Sequence, residues 1–346
     1  MSSQTKTSRK HKDLSNLPSL GPGDIIGEGD SFIRYNLLSE ELRADSDSSV
    51  PLSEVIFQAI RDEVQWQRMY HAAGEVPRLV AVQGAIAEDG SKPVYRHPSD
   101  QAPPLLPFSK NVDIVRREAE KVVGHPLNHV LIQLYRSGQD YISEHSDKTL
   151  DIAKGSSVVN ASFGARRTMR LRTKRSANKG ADAQAACSRN ELEAETKIEE
   201  ANSVERITQR IHMPHNSLFV LGLKTNQFWL HGINQDKRAE RDRSPEELAY
   251  NSMRISLTFR LIDTFLSADE KLIWGQGAKS KSKDTAGRCI NADDAESEKM
   301  IDAFGFENKE GADFDWDKVY GEGFDVLNMR ALTAPVAQTT TGTSMT

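Results

Sequence analysis

From Asn251 the chain reads Asn-Ser-Met-Arg-Ile-Ser-Leu-Thr-Phe-Arg-Leu-Ile, ending at Ile262, and a β-strand is the element that sorts these side chains. Period two puts Arg254, Ser256, Thr258 and Arg260 on one face and Ile255, Leu257, Phe259 and Leu261 on the other. Two arginines on an inward-facing, otherwise apolar-backed strand need a reason. An unpaired buried guanidinium is costly, so the two together imply an anion bound there. Six strand residues span roughly 20 Å, and two arginines leaning toward each other leave a gap of several ångströms, about the length of a small dicarboxylate. The strand therefore points to a ligand carrying a carboxylate at each end.

The chain is long enough to bury a full core. Its 346 residues are 37% hydrophobic and 27% charged, an ordinary globular composition. Nothing in it resembles a membrane protein: no apolar run approaches the 18 or so residues of a spanning helix, and Met1 to Asp24 lacks the apolar stretch of a signal peptide. Cys187 and Cys289 make no metal or disulfide spacing, which predicts a reducing compartment, nucleus or cytoplasm. The net charge of −5 means that a nucleic-acid partner would have to be held by a local basic patch.

Along the chain the composition divides into five segments. Residues 1–25 and 331–346 read as disordered tails rich in small polar residues. Residues 26–127 read as a helical buttress and substrate-side segment. Leu52, Val55, Ile56, Ala59, Ile60 and Val64 recur at helical spacing behind Pro51, predicting a helix over 51–70, and Val115, Ala119, Val122 and Val123 predict a second from Val112 to Gly124. Residues 128–266 switch to period two, with short strands predicted at 128–136, 139–147, 156–163, 168–174, 206–212, 217–222, 227–231 and 254–262. Polar insertions interrupt this core at 176–205 and 236–250. The aromatic-rich segment 267–330 begins with a Ser267-x-x-Glu270 capping box and is expected to dock on the core. Eight short strands preceded by helices predict an all-β core with flanking helices, a double-sheet barrel or jelly roll.

His145-Ser-Asp147 sits at the end of a predicted strand, where an i, i+2 pair points both side chains to one side, as two ligands of one ion require. With nine histidines, chance supplies roughly 0.65 such motifs in a chain of this composition, so a third residue has to carry the assignment. His231, in Gln227-Phe-Trp-Leu-His-Gly232, lies on another predicted strand and shares a face with Trp229 and Gln227. Two histidines and a carboxylate form the facial triad of non-haem Fe(II) oxygenases, which leaves positions open for a chelating co-substrate and O₂. A surface His-x-Asp turn plus a core histidine is the bland alternative, and the arginine strand decides against it. On Asn128 to Tyr135, Gln133 and Tyr135 share a face and are suited to hydrogen-bond carboxylate oxygens; a half-exposed strand ending in Tyr fits the same residues.

Taken together, Val76-Pro-Arg78, Asn128 to Tyr135, Asp140 to Asp147, Ser162-Phe-Gly-Ala-Arg-Arg167, Trp229-Leu-His231 and Arg254-x-Ser-x-Thr-Phe-Arg260 resemble the AlkB family of Fe(II)- and 2-oxoglutarate-dependent dioxygenases. The resemblance runs from about Pro77 to Asp263 and implies a double-stranded β-helix (jelly roll). It implies that His145, Asp147 and His231 are iron ligands, that Gln133 and Tyr135 contact 2-oxoglutarate, that Arg254 pairs with its distal carboxylate, and that Arg260 lies near its chelating end. Ser256 stands where Asn is commoner. The implied reaction uses Fe(II), 2-oxoglutarate and O₂; it yields succinate and CO₂ and hydroxylates an N-methyl carbon, which leaves as formaldehyde. The expected partner is methylated DNA or RNA, and the expected state a monomer.

The sequence departs from the family pattern after the His-x-Asp, where Lys148 and Thr149 follow in place of an acidic residue. A 2-oxoglutarate dioxygenase acting on a protein side chain or small molecule is therefore the alternative function. For a nucleic-acid substrate the candidate contacts are Arg78, Phe108, Arg167, Arg170 and Arg172. Arg166, Arg167, Arg170, Arg172, Lys174 and Arg175 form a basic strip that could track phosphates or serve as a solvated, edge-blocking strand face. Phe108 would stack on a flipped base, or belong to the core as a Phe after Pro often does.

Overall fold

The computed structural model describes residues 17–44, 49–71, 74–98, 103–175, 206–291 and 294–328. The 176–205 insertion, Cys187, most of the N-terminal tail and the 331–346 tail lie outside these residues. In chain order the elements used below are β1 (Ser19–Leu20), β2 (Phe32–Tyr35), α1 (Leu52–Glu63), β3 (Leu79–Gly84), β4 (Leu105–Pro107), α2 (Lys110–Val123), β5 (His129–Tyr135), β6 (Ile142–His145), β7 (Ser157–Gly164), β8 (Arg167–Thr173), β9 (Thr208–Met213), β10 (Ser217–Gly222), α3 (Leu223–Phe228), β11 (Trp229–Ile233), β12 (Arg254–Arg260), β13 (Thr264–Leu266), β14 (Leu272–Gly275), α4 (Asp294–Lys309) and α5 (Trp316–Tyr320).

Two sheets carry the core. A major sheet has the order β2-β10-β7-β12-β5-β3-β4 and a minor one the order β1-β9-β8-β11-β6. Period two on the central strand β12 works as the sequence predicts. Ile255, Leu257 and Phe259 pack outward under α1 and α2, with Ile56, Ile60, Val112 and Val115. Between the sheets a second apolar cluster forms from Val158, Met169, Leu171, Ile211, Phe219, Trp229 and Ile233. The inward polar face of β12 lies on this inner side, where Ser256, Thr258 and Arg260 line the same cavity as Val158, Met169 and Phe219. The architecture is a double-stranded β-helix with helices covering the outside of its major sheet.

Several predicted boundaries move. Helix α1 stops at Glu63 rather than 70. The Glu63 carboxylate accepts from the Asn111 and Val112 amides at the start of α2, and Gln67 exchanges backbone hydrogen bonds with Val80. The chain is thus drawn onto β3 before a further turn can form. Helix α2 ends as expected at Gly124, whose φ of 74° suits glycine. The 26–127 segment is less helical than predicted, since β2, β3 and β4 extend the major sheet to seven strands. Ser19 and Leu20, inside the predicted tail, pair in parallel with Arg210 and Ile211. The predicted strand 227–231 begins only at Trp229, because Leu223–Phe228 is a short helix. Gln227 consequently faces the C-terminal segment, donating to the Gly311 and Phe314 carbonyls, and not the side on which His231 lies.

The aromatic-rich C-terminal segment docks on the core. Met300, Phe304, Tyr320, Phe324 and Val326 bury themselves against Leu150. Arg96 and Asp151, both almost fully buried, pair at 2.6 Å, and the same guanidinium donates to the carbonyls of Gly277, Phe324 and Val326.

Candidate metal and co-substrate site

The edge strand β6 ends at His145, which stands directly opposite His231 of β11. The two imidazole centroids are 4.4 Å apart. Asp147, two residues past the strand, brings Oδ1 to 3.8 Å from His145 Nε2 and 3.9 Å from His231 Nε2. One donor atom from each of the three residues lies within 4.8 Å of the others, and it is the only such group of three among the described residues. The three side chains predicted from spacing therefore converge.

Tautomer and charge suit a cation. His145 Nδ1 donates to the Ser143 carbonyl at 2.8 Å, which leaves the Nε2 lone pair free to coordinate. Burial, with the neighbouring His145, lowers His231 to about 3, so its ring is neutral. Burial also lowers His145, although 34% of its side chain stays open to the cleft. For Asp147 burial alone would raise the carboxyl, but Arg260 and the two imidazoles hold it down to about 2. Asp147 is fixed from behind: its amide donates to Asn226 Oδ1 at 2.8 Å, and Asn226 Nδ2 returns a bond to its carbonyl at 2.9 Å. Two neutral imidazoles and one carboxylate are the donor set that suits Fe(II).

Beside these ligands, β5 and β12 pair in a register that sets Tyr135 opposite Arg254 and Gln133 opposite Ser256. Tyr135 donates its hydroxyl proton to Gln133 Oε1 at 3.1 Å, and both line the inner cavity together with Ser256, Thr258, His145, Asp147 and His231. Arg254 has no exposed surface. Its Nε donates to Ser162 Oγ at 2.8 Å and its Nη2 to Asn160 Oδ1 at 3.2 Å, and its guanidinium lies 5.3 Å from the Tyr135 ring centroid. Nη1 finds no acceptor. Burial lowers this guanidinium to about 10, the mark of a cation short of a counter-charge. A carboxylate reaching between Tyr135 and Asn160 would supply one.

Arg260 differs from expectation. Its anion is Asp147 itself, held from Nε at 2.9 Å and Nη2 at 2.8 Å, with the guanidinium 4.2 Å over the Tyr95 ring. Of the two arginines, only Arg254 is thus left without an anion from the protein itself. Burial works against its charge, but Asp147 outweighs that and raises the group.

Next to the inner cavity lies a cleft of about 610 Å³, bordered by Val76, Pro77, Arg78, Tyr141, Lys148 and the ligand turn. Arg78 is on it, with Nη1 donating to the Tyr141 carbonyl at 2.9 Å. The remaining candidate substrate contacts are elsewhere. Phe108 packs under the helices against the outer core, with Arg116 5.1 Å above its ring, because β4 places it on the helix-covered side of the major sheet. Arg167 spends its N–H groups on the carbonyls of Ser137, Asp140 and Asn234, which fixes two loops. Arg170 and Arg172 share Glu144 at 3.3 and 3.7 Å, and they alternate on β8 with the inward-facing Met169 and Leu171. They stand on the outer face of the minor sheet. Lys174, also in the predicted basic strip, is buried and donates to the Glu307 carbonyl at 2.6 Å.

Asn160, Ser162, Asn226, Glu307 and Asn308 are site residues that spacing did not single out. Asn160 bridges β7 and β12, donating to Ser256 Oγ at 2.7 Å and Thr258 Oγ1 at 2.9 Å. Polar residues at 160 and 162, set alternately in an apolar strand, were a readable sign. Asn226 and Asn308 sit on helices far away in sequence and left none.

A double-stranded β-helix with two histidines and an aspartate meeting between its sheets is the scaffold of a non-haem iron oxygenase. Residues 48–260 match the family model of the 2OG-Fe(II) oxygenase superfamily, and the chain belongs to that family as an AlkB-like member. Members use Fe(II), 2-oxoglutarate and O₂. It is similar to the Bos taurus protein "DNA oxidative demethylase ALKBH2", at 26% identity over 217 residues, which are 61% of this chain and 64% of that one. It is also similar to the Homo sapiens "Alpha-ketoglutarate-dependent dioxygenase alkB homolog 3", at 26% over 203 residues, 59% of this chain and 55% of that one. The chain thus spans less than two thirds of the length of these relatives. A solved structure described as "The structure of OsALKBH1" overlaps 70% of this chain and all of that one, with a TM-score of 0.39 and 12% identity. Among the described residues no helix is long and apolar enough to cross a membrane.

Proposed function

We propose that this chain is an Fe(II)- and 2-oxoglutarate-dependent demethylase acting on N-methylated bases of DNA or RNA. The observation that carries the reading is the division of Asp147. Its Oδ2 is saturated by Arg260 while Oδ1 is turned to the two imidazoles, so the carboxylate is oriented to give a metal one oxygen. His145, Asp147 and His231 would hold Fe(II), which supplies O₂ activation coupled to 2-oxoglutarate decarboxylation. The chain's own residues do the rest. Arg254 Nη1 takes the distal carboxylate of the co-substrate, with Tyr135 and Gln133 beside it; Arg260 keeps Asp147 ionised and aimed. The cleft opens onto the turn at His145 and Asp147, so a substrate lying in it would place its methyl group beside the residues that would hold the metal. Its lining mixes apolar walls with Arg78 and Lys148, a surface suited to a flat base and an adjoining phosphate. The activity named for the similar proteins supports the same substrate class.

Succinate and formaldehyde production tests the reading. Release of both in a one-to-one ratio, dependent on Fe(II) and stimulated by methylated but not unmethylated oligonucleotides, is the expected result. Stimulation by protein extract alone moves the substrate to the alternative class, and no stimulation by either removes the demethylase assignment.

A further inference from the structure

Helix α4 lies beyond Arg260, outside the 48–260 segment that matches the family, yet it forms part of the cleft. Its side chains divide into two adjacent stripes at helical spacing. Met300, Ala303 and Phe304 face the C-terminal core. Ile301, Gly305 and Asn308 face the cleft. Asn308 ties the helix to the ligand turn, since its Oδ1 accepts from the Ser146 amide at 3.0 Å and from Lys148 Nζ at 3.1 Å, and Ser146 sits between His145 and Asp147. Glu307, one residue earlier, accepts from the Thr149 amide at 3.0 Å. The helix is therefore registered to the iron-side turn by side-chain bonds.

Gly305 is the odd residue on that stripe. It has helical backbone and needs no special φ, and glycine is less favourable than alanine in a helix interior. A Cβ built on it meets nothing within 4 Å. Neither packing nor conformation explains the glycine, whereas the cleft beside it does: the missing side chain leaves room next to the turn that carries His145 and Asp147. We infer that α4 is a substrate-selecting wall of the active-site cleft, with Gly305 kept small so that the substrate can lie against the helix.

This inference rests on reading the cleft as the substrate's, and the test separates its failure from that of the nucleic-acid assignment. Gly305→Ala and Gly305→Leu are compared with wild type in the full chain. Gly305→Ala should melt at or above the wild-type temperature, because its Cβ meets no obstacle. Gly305→Leu should raise the KM for the stimulating substrate at least tenfold, while 2-oxoglutarate turnover without substrate and Co(II) binding stay unchanged; Gly305→Ala should fall between. If methylated oligonucleotides stimulate wild type and Gly305→Leu is equally stimulated at the same KM, the wall is wrong and the demethylase reading stands. If only protein extract stimulates wild type and Gly305→Leu abolishes that response, the wall stands and the nucleic-acid reading falls. If nothing stimulates wild type, both fall, and a melting temperature well below wild type for Gly305→Ala overturns the claim that the space is free.

Discussion

Arg260 and Asp147 form a two-pronged ion pair through a single carboxylate oxygen: Nε and Nη2 meet Oδ2 at 2.9 and 2.8 Å. The other oxygen is left for the two imidazoles at 3.8 and 3.9 Å. An arginine at the end of the strand that carries Arg254 thus sets which oxygen of Asp147 faces the two imidazoles.

Arg260→Ala should therefore damage the metal site and the fold together. Removing one partner of a buried pair leaves an uncompensated carboxylate and costs about 3–5 kcal/mol, while loss of an outer partner of a ligand typically weakens metal binding about 10–100-fold. Arg260→Lys keeps the charge but not the two-pronged geometry, and should fall between. Urea unfolding of the metal-free protein and Co(II) titration read the two effects. Unchanged Co(II) affinity in Arg260→Ala would show that Asp147 needs no orientation from it.

Arg254→Met has effects of opposite sign on the empty and loaded protein. Without co-substrate the guanidinium is buried with Nη1 unpartnered, and an apolar side chain of similar length removes that cost, so stability should hold or rise. With 2-oxoglutarate the lost charge-assisted bond amounts to about 1.5–3 kcal/mol, or roughly a 10- to 150-fold higher co-substrate requirement. Thermal unfolding with and without 2-oxoglutarate should show wild type shifting upward on addition and the variant scarcely moving. An equal shift in both would place the distal carboxylate elsewhere.

The same two residues show what was legible in the sequence. Period two gave β12 its faces, and an i, i+2 pair gave His145 and Asp147 a common side, because a strand's alternation is strictly local. The partner of each buried arginine was not local. Arg260 finds Asp147 from another strand's end, and Arg254 finds Asn160 and Ser162 on β7, so only the sheet register reveals that one guanidinium is satisfied and the other is not. Phe108 and Lys174 failed for a related reason: composition marks a residue as aromatic or basic, but which side of a sheet it occupies depends on the strand's neighbours. The early end of α1 came from Glu63 capping a different helix, a contact that no periodicity encodes.

His129 gives the metal-free protein an acid-sensitive step. Buried beside Arg260, His97 and the Tyr95 ring, it is lowered from 6.5 to about 3, and its Nδ1 has no partner. It is neutral when folded, whereas in the unfolded chain it binds a proton below pH 6.5. Stability is therefore fully present above that pH and is lost as pH falls toward 3, by at most about 1.4 kcal/mol per pH unit from this residue. His129→Phe should unfold at a similar urea concentration at pH 7 and show a shallower decline between pH 6 and 4.5. Parallel pH profiles for the two proteins would mean that His129 takes up its proton without unfolding.

The docking of the C-terminal segment depends on Arg96, whose guanidinium joins Asp151 in the core to the Gly277, Phe324 and Val326 carbonyls. Arg96→Met leaves Asp151 without its guanidinium partner and three carbonyls short of a donor, a loss of about 3–5 kcal/mol. Much of that loss should appear locally, because those carbonyls lie on either side of α4. Hydrogen exchange should accelerate over 277–328 before it does in β5 and β12, and the freed α4 should withdraw Asn308 from the turn at Ser146. The double change Arg96→Met with Asp151→Leu replaces the pair by apolar groups and should recover part of the stability, since the buried charge goes with its partner. Uniform acceleration across the whole chain in Arg96→Met would instead make the C-terminal segment one cooperative unit with the sheets.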